Sequence, residues 1–169
     1  MRAPAGGNDM LKVTIICVGR LKERFYVDAA EEYRKRLSGY CKLDILEIPE
    51  YRLPDNPSEA QIAAGLRKEW DAIVKRLPAR ACTVALCVEG REVTSSDFEV
   101  FLNDCVRNDV SGVCFIIGGS YGLHEGLKQA LATKLSLSAM TFPHHLARII
   151  LLEQLYRAFS IAGGGKYHK

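Results

Sequence analysis

The sequence lacks any hydrophobic run approaching the roughly 20 residues that a membrane-spanning helix needs. Its 6 cysteines include no CxxC pair and no metal-ligand spacing, and most of them sit inside apolar runs. We therefore expect free buried thiols, and neither a disulfide framework nor a zinc site. A chain with no membrane segment and with reduced thiols is expected in the cytoplasm.

A strong charge of one sign is also missing, because 23 basic residues nearly balance 20 acidic ones and leave a formal net charge of +3. This balance permits a polyanionic partner without requiring one, so a nucleic-acid site has to come from local clustering. Residues 1–10 have no apolar core and are expected to be a disordered extension rather than a signal or an anchor. Residues 11–169 are expected to form one domain with a single core.

Predicted strands and helices alternate along the chain. The segments with strand patterns are residues 12–18, 42–48, 83–88, 113–117 and 135–139. The segments with helical patterns are residues 22–37, 58–77, 95–106, 124–132 and 143–161. Ser58 with Gln61 predicts a capping box, and Ser95 or Ser96 is the expected cap of the third helix. Such alternation predicts an α/β domain whose parallel sheet is covered by helices on both faces.

Two loops predicted at the carboxyl edge of this sheet are candidates for a ligand site. Gly118 to Gly122 (GGSYG) follow the most hydrophobic strand directly, where glycine lets a ligand approach the backbone closely. Leu137 to Phe142 (LSAMTF) offer free backbone amides beside an apolar wall, which suits an adenine-like ring. The residues alone also fit a tight turn in the first segment and a core-forming loop in the second at least as well as a ligand site. The glycine segment has neither the GxGxxG spacing nor that of a Walker loop.

The last predicted helix is apolar on most sides, so it must be buried, either against another subunit or within the monomer. His144 and Arg148 are polar exceptions near its start. Adjacent histidines on a helix diverge, so His144 and His145 are not expected to share a metal ion. The chain ends in GGGKYHK, which fits a frayed tail or a flexible arm that brings Tyr167 and His168 onto a nucleic acid.

Four segments resemble the RlmH family of SPOUT-superfamily methyltransferases, which act on a pseudouridine of large-subunit (23S) ribosomal RNA. They are KVTIICVGRLKERF, VALCVEG, FIIGGSYGL, and SLSAMTFPHHLARIILLEQLYRAFSI with a terminal YHK. The resemblance extends over roughly residues 11–169. It implies an α/β fold with a C-terminal trefoil knot, a homodimer, and methylation of N3 of the pseudouridine on the assembled ribosome.

The resemblance also implies the site residues. It places S-adenosylmethionine against eight residues: Leu86, Gly118, Leu137, Ser138, Ala139, Met140, Thr141 and Phe142. It makes His144, Arg148, Tyr167 and His168 the catalytic candidates, with the tail of one subunit completing the other's pocket, and it requires no metal. Proton abstraction by a histidine and electrostatic stabilisation by Arg148 both stay open. Another RNA such as tRNA, and a non-catalytic nucleotide-binding or RNA-binding module, are the alternative functions.

Overall fold

The computed structural model describes residues 10–107 and 112–163. Within them, one fully parallel sheet has the strand order β2-β1-β4-β3-β5. Its strands are β1 (Lys12–Val18), β2 (Lys42–Ile48), β3 (Cys82–Glu92), β4 (Val113–Ile117) and β5 (Thr133–Ser136). The helices are α1 (Arg24–Leu37), α2 (Glu59–Val74), α3 (Ser95–Arg107), α4 (Glu125–Ala130) and α5 (His144–Ala162). The predicted α/β class and parallel sheet are confirmed.

Helices cover both faces of the sheet. On one face, α1, α3 and α5 pack against side chains such as Val13, Ile15 and Phe115. On the other, α2 and α4 pack against Ile16 and Ile116. Successive residues of a strand point to opposite faces, and both faces of these two strands are covered. β4 is therefore apolar throughout, and β1 is apolar apart from Thr14 and the exposed Lys12 at its start. Each fully buried Ile or Phe contributes about 1.5–3 kcal/mol to stability.

The strand β3 departs most from the prediction. The strand was expected to end at residue 88, but β3 continues to Glu92, and Leu135 pairs with both Leu86 and Arg91. Residues 87–90 therefore leave the ladder as a bulge inside a continuing strand. A Cβ on Gly90 would overlap the backbone of Leu135, so glycine is what lets these two segments pass so closely. The predicted end of the strand was wrong because glycine after an apolar run gives the same local sequence signal for a bulge as for a turn.

Two helix starts test the capping predictions. The Ser58 side chain accepts from the Gln61 N–H at 3.3 Å and the Gln61 side chain accepts from the Ser58 N–H at 2.9 Å, which confirms the capping box. The expected cap of α3 was wrong. Thr94 precedes this helix, and its hydroxyl accepts from the Asp97 N–H at 3.1 Å while Asp97 accepts from Thr94 in return.

Several predictions concern segments at the ends of the chain. Residues 1–9 of the expected extension, together with Tyr167 and His168, lie outside the described residues. The trefoil knot stays a prediction, compatible with the parallel strand order.

No helix in the described part of the chain is long and apolar enough to cross a membrane. All six cysteines are free thiols, and Cys17, Cys41, Cys105 and Cys114 are buried as predicted, whereas Cys82 and Cys87 are half-buried.

Candidate functional site

A cleft of about 790 Å³ opens at the carboxyl edge of the sheet. Three chain segments supply most of its lining: the middle of β3 from Leu86 to Glu89, the segment from Ile117 at the end of β4 to Leu123, and the segment from Ser136 at the end of β5 to His144 at the start of α5. The volume lies within the range of small-molecule sites, and carboxyl ends of parallel strands are where α/β sheets bind ligands. The two candidate loops of the sequence thus face one cleft, here called the edge cleft.

Seven of the eight residues implied as cofactor contacts line the edge cleft: Leu86, Gly118, Leu137, Ser138, Met140, Thr141 and Phe142. The eighth, Ala139, is exposed in the same loop and is absent from the lining. The Ser138 hydroxyl accepts from the Met140 N–H at 3.0 Å, and the Ser136 hydroxyl donates to the Ser138 carbonyl at 2.9 Å. These bonds shape the loop and explain why β5 ends at Ser136 rather than at the predicted Ala139.

The turn formed by residues 118–122, here called the glycine turn, needs glycine for its own geometry. A Cβ on Gly118 would overlap the carbonyl oxygen of Gly122 across the turn. Gly122 has φ +77°, a left-handed conformation that favours glycine, and its N–H donates to the Gly119 carbonyl at 3.0 Å. Side chains at these positions would therefore deform the wall of the cleft even before a ligand arrives.

His144 lines the edge cleft at the first turn of α5. Burial lowers the pKa of its imidazole below the ordinary value of 6.5, and the neighbouring His145 ring at 4.0 Å adds to the effect. Glu50 and Glu23 oppose the shift without cancelling it. The Nε2 atom is buried and has no hydrogen-bond partner among the described residues. His144 is therefore held as a neutral imidazole, the form that can accept a proton.

Arg148 lies one turn further along α5 and is only 5% exposed. Its two terminal nitrogens donate to Oε1 of Glu47 on β2, at 2.9 and 2.8 Å. The second oxygen of Glu47 lies 3.8 Å from Nε of Arg20. Arg148 is not part of the cleft lining; in this structure it ties α5 to β2, and its catalytic role stays a prediction.

Comparison with known proteins decides the family. The family model described as "Predicted SPOUT methyltransferase" matches residues 11–168 of this chain. The chain belongs to the SPOUT methyltransferase family. It is 45% identical over 159 residues to the ribosomal RNA large subunit methyltransferase H of Clostridium tetani (strain Massachusetts / E88), covering 94% of this chain and 100% of that protein. The protein of the same name from Streptococcus equi subsp. zooepidemicus (strain MGCS10565) is 40% identical with the same coverage.

These relatives confirm the resemblance to the ribosomal RNA large subunit methyltransferase H group. A solved structure from Bordetella pertussis Tohama I, described as a probable methyltransferase, has the same fold. Its TM-score is 0.53 at 15% identity, and the alignment covers 88% of this chain and 95% of that one. At this identity the likeness shows the SPOUT fold alone.

Lys128 is a cleft residue of this SPOUT methyltransferase that sequence reasoning missed. Its side chain is 13% exposed, and Nζ lies 2.7 Å from Oε1 of Glu89 and 2.8 Å from Oε2 of Glu125. Burial favours the neutral amine, but the hydrogen bonds to Glu125 and Glu89 outweigh it and raise the pKa of Lys128. Glu125 lies three residues before Lys128, so this pair can be predicted from the sequence. The contact with Glu89 on β3 is known only from the fold.

The SPOUT chain shows no candidate metal centre in the part that the structure describes. There, no group of three or more His, Cys, Asp or Glu side chains is arranged to hold an ion.

Proposed function

We propose that this SPOUT methyltransferase transfers a methyl group from S-adenosylmethionine to N3 of a pseudouridine in large-subunit ribosomal RNA, in the cytoplasm and on the assembled ribosome. One observation carries the proposal. The chain is 45% identical, over the full length of the relative, to a protein named ribosomal RNA large subunit methyltransferase H. Seven of the eight residues that the resemblance implies as cofactor contacts line one cleft rather than scattered surface positions.

The edge cleft fits the cofactor. Its volume of about 790 Å³ accommodates a nucleoside joined to an amino acid, and Leu86, Leu137 and Phe142 offer apolar surface for an adenine ring. The backbone of the glycine turn offers hydrogen-bonding groups beside this apolar surface. When bound, S-adenosylmethionine supplies an electrophilic methyl group on a sulfonium centre. The residues of this chain supply binding, orientation and control of the substrate's proton.

Methylation at N3 requires the imide N–H of the base to lose its proton. Of the two catalytic candidates within the described residues, His144 lines the cleft and Arg148 does not. This position in the cleft favours His144 as the group that accepts the proton at an imidazole nitrogen. The buried ion pair with Glu47 favours a supporting electrostatic and structural role for Arg148.

We further propose that the enzyme is a homodimer in which the tail of one subunit, with Tyr167 and His168, completes the cleft of the other. The family resemblance supports this arrangement. Large exposed apolar side chains in the cleft lining also support it, since Val88 is 64% exposed and Met140 is 71% exposed. Light scattering coupled to size exclusion tests the oligomeric state: a dimer is expected, and a monomer at micromolar concentration would contradict it.

Calorimetry with S-adenosylmethionine tests the enzyme class. We expect saturable binding with one site per chain; no binding at millimolar ligand would overturn the methyltransferase proposal in favour of a non-catalytic RNA-binding module. Transfer of labelled methyl from the cofactor then tests the substrate class. We expect incorporation into ribosomes from cells lacking this protein, and incorporation into tRNA instead would favour the alternative substrate.

A further inference from the structure

Glu50 links parts of the sheet that are not neighbours. The strand order puts β1 between β2 and β4, and the chain leaving β2 passes the end of β1, where the Gly19 N–H donates to the Ile48 carbonyl at 2.8 Å. Two residues after Ile48, Oε1 of Glu50 accepts from the Ser120 N–H at 2.9 Å. Glu50 thus reaches across β1 to the glycine turn after β4.

The carboxylate of Glu50 also packs directly on the backbone of the glycine turn. A Cβ added to Gly119 would lie 2.9 Å from Oε1 of Glu50 and 3.0 Å from Cγ1 of Val18, so no side chain fits between them. Gly119 and Ser120 both line the edge cleft, whereas Glu50 does not. Whatever Glu50 contributes to the cleft therefore acts through the shape of the turn.

The hydrogen bond from Ser120 favours the ionised form of Glu50. Burial alone would raise the pKa of Glu50, but hydrogen bonding by Ser120 holds it below the ordinary value. Glu69 on α2 faces this carboxylate as a like charge. An ionised carboxylate can only accept hydrogen bonds, so Oε1 of Glu50 faces the Ser120 N–H as an acceptor.

We propose that Glu50 is a positioning residue, whose hydrogen bond to the Ser120 N–H holds the glycine turn in the shape that binds the cofactor. The proposal rests on the proposed function, since it takes S-adenosylmethionine as the ligand of the edge cleft. Loss of this hydrogen bond is expected to raise the dissociation constant for S-adenosylmethionine and to shift the proton resonance of the Ser120 amide.

Three variants separate the hydrogen bond from the charge. Glu50→Gln keeps an oxygen acceptor of the same reach and removes the charge, whereas Glu50→Asp keeps the charge and shortens the reach by one methylene. Glu32→Asp is the matched control, because it shortens an exposed carboxylate whose partner is Arg36 on the same helix, away from the edge cleft. We expect Glu50→Asp to weaken S-adenosylmethionine binding about fivefold in calorimetry, while Glu50→Gln and Glu32→Asp stay within about twofold of wild type.

The Ser120 amide gives a second readout that needs no activity. Its proton resonance in ¹H–¹⁵N spectra of the free protein should move upfield in Glu50→Asp and stay near the wild-type position in Glu50→Gln. If wild type does not bind S-adenosylmethionine, the proposed function fails. If wild type binds and Glu50→Asp binds equally well although the amide resonance has moved, Glu50 does not position the turn. If Glu50→Gln alone weakens binding, the charge acts rather than the hydrogen bond, and the proposal is overturned.

Discussion

Arg148 and Glu47 form a two-point ion pair between α5 and β2, although 101 residues separate them in the sequence. The guanidinium is almost fully buried and the carboxylate is 34% exposed. The pair connects α5, which begins at the edge cleft, to β2, which lies beside β1 on the side away from β4. A residue implied as catalytic is therefore also a structural link, and its substitution affects both properties.

We expect Glu47→Ala to lower the free energy of unfolding by about 2–3 kcal/mol, because it leaves the buried charge of Arg148 without its partner. Urea denaturation measures the change. Asp44→Ala is the matched control on the same strand, since Asp44 is exposed and lies 3.6 Å from Nζ of Lys12. The control should cost less than about 1 kcal/mol. Equal losses of unfolding free energy in the two variants would show that the buried ion pair stabilises the fold no more than the exposed pair does.

Gly118→Ala is expected to weaken S-adenosylmethionine binding more than about tenfold and to lower the melting temperature. The added Cβ overlaps the backbone of Gly122, which no side-chain rotation can relieve. Gly39→Ala is the control, because a Cβ there meets nothing within 4 Å. Calorimetry and thermal unfolding measure the two effects. Wild-type affinity in Gly118→Ala would show that the shape of the glycine turn does not matter for binding.

The lowered pKa of His144 predicts a pH dependence of stability. The unfolded chain binds a proton at the ordinary pKa of 6.5 and the folded chain only at a lower pH, so stability falls as pH drops from 6.5 through the folded pKa. His144→Asn should make the stability profile flatter in that window. Histidine NMR titration of wild type measures the pKa directly. A His144 titration at or above 6.5 would contradict the predicted burial effect.

Removing residues 167–169 is expected to preserve S-adenosylmethionine affinity and to abolish methyl transfer. The lining of the edge cleft, proposed to bind the cofactor, comes from residues 86–147, whereas the tail is proposed to act on the RNA substrate in the partner's cleft. Calorimetry and a single-turnover methylation assay separate the two properties. Unchanged turnover would remove Tyr167 and His168 from the mechanism.

Much of the fold follows from local patterns that the sequence shows. The apolar runs Lys12–Val18 and Val113–Ile117 can only be strands buried on both faces, and their bounds were predicted to the residue. The bulge at Gly90 could not be predicted, because its cause is the backbone of Leu135, 45 positions away in the chain. The contact of Lys128 with Glu89 and that of Glu50 with Ser120 are long-range for the same reason. The resemblance identified the cleft residues, whereas only the fold shows what holds them in place.

Mapping of the methylated nucleotide tests the central claim most directly. Ribosomes from a strain lacking this protein would be incubated with the purified enzyme and S-adenosylmethionine, and the large-subunit RNA would be digested and sequenced by mass spectrometry. The proposed function predicts one added methyl group, on N3 of a single pseudouridine, that is absent when the enzyme is omitted. A methyl group on any other nucleotide, or none on ribosomal RNA while the enzyme binds the cofactor, would contradict it.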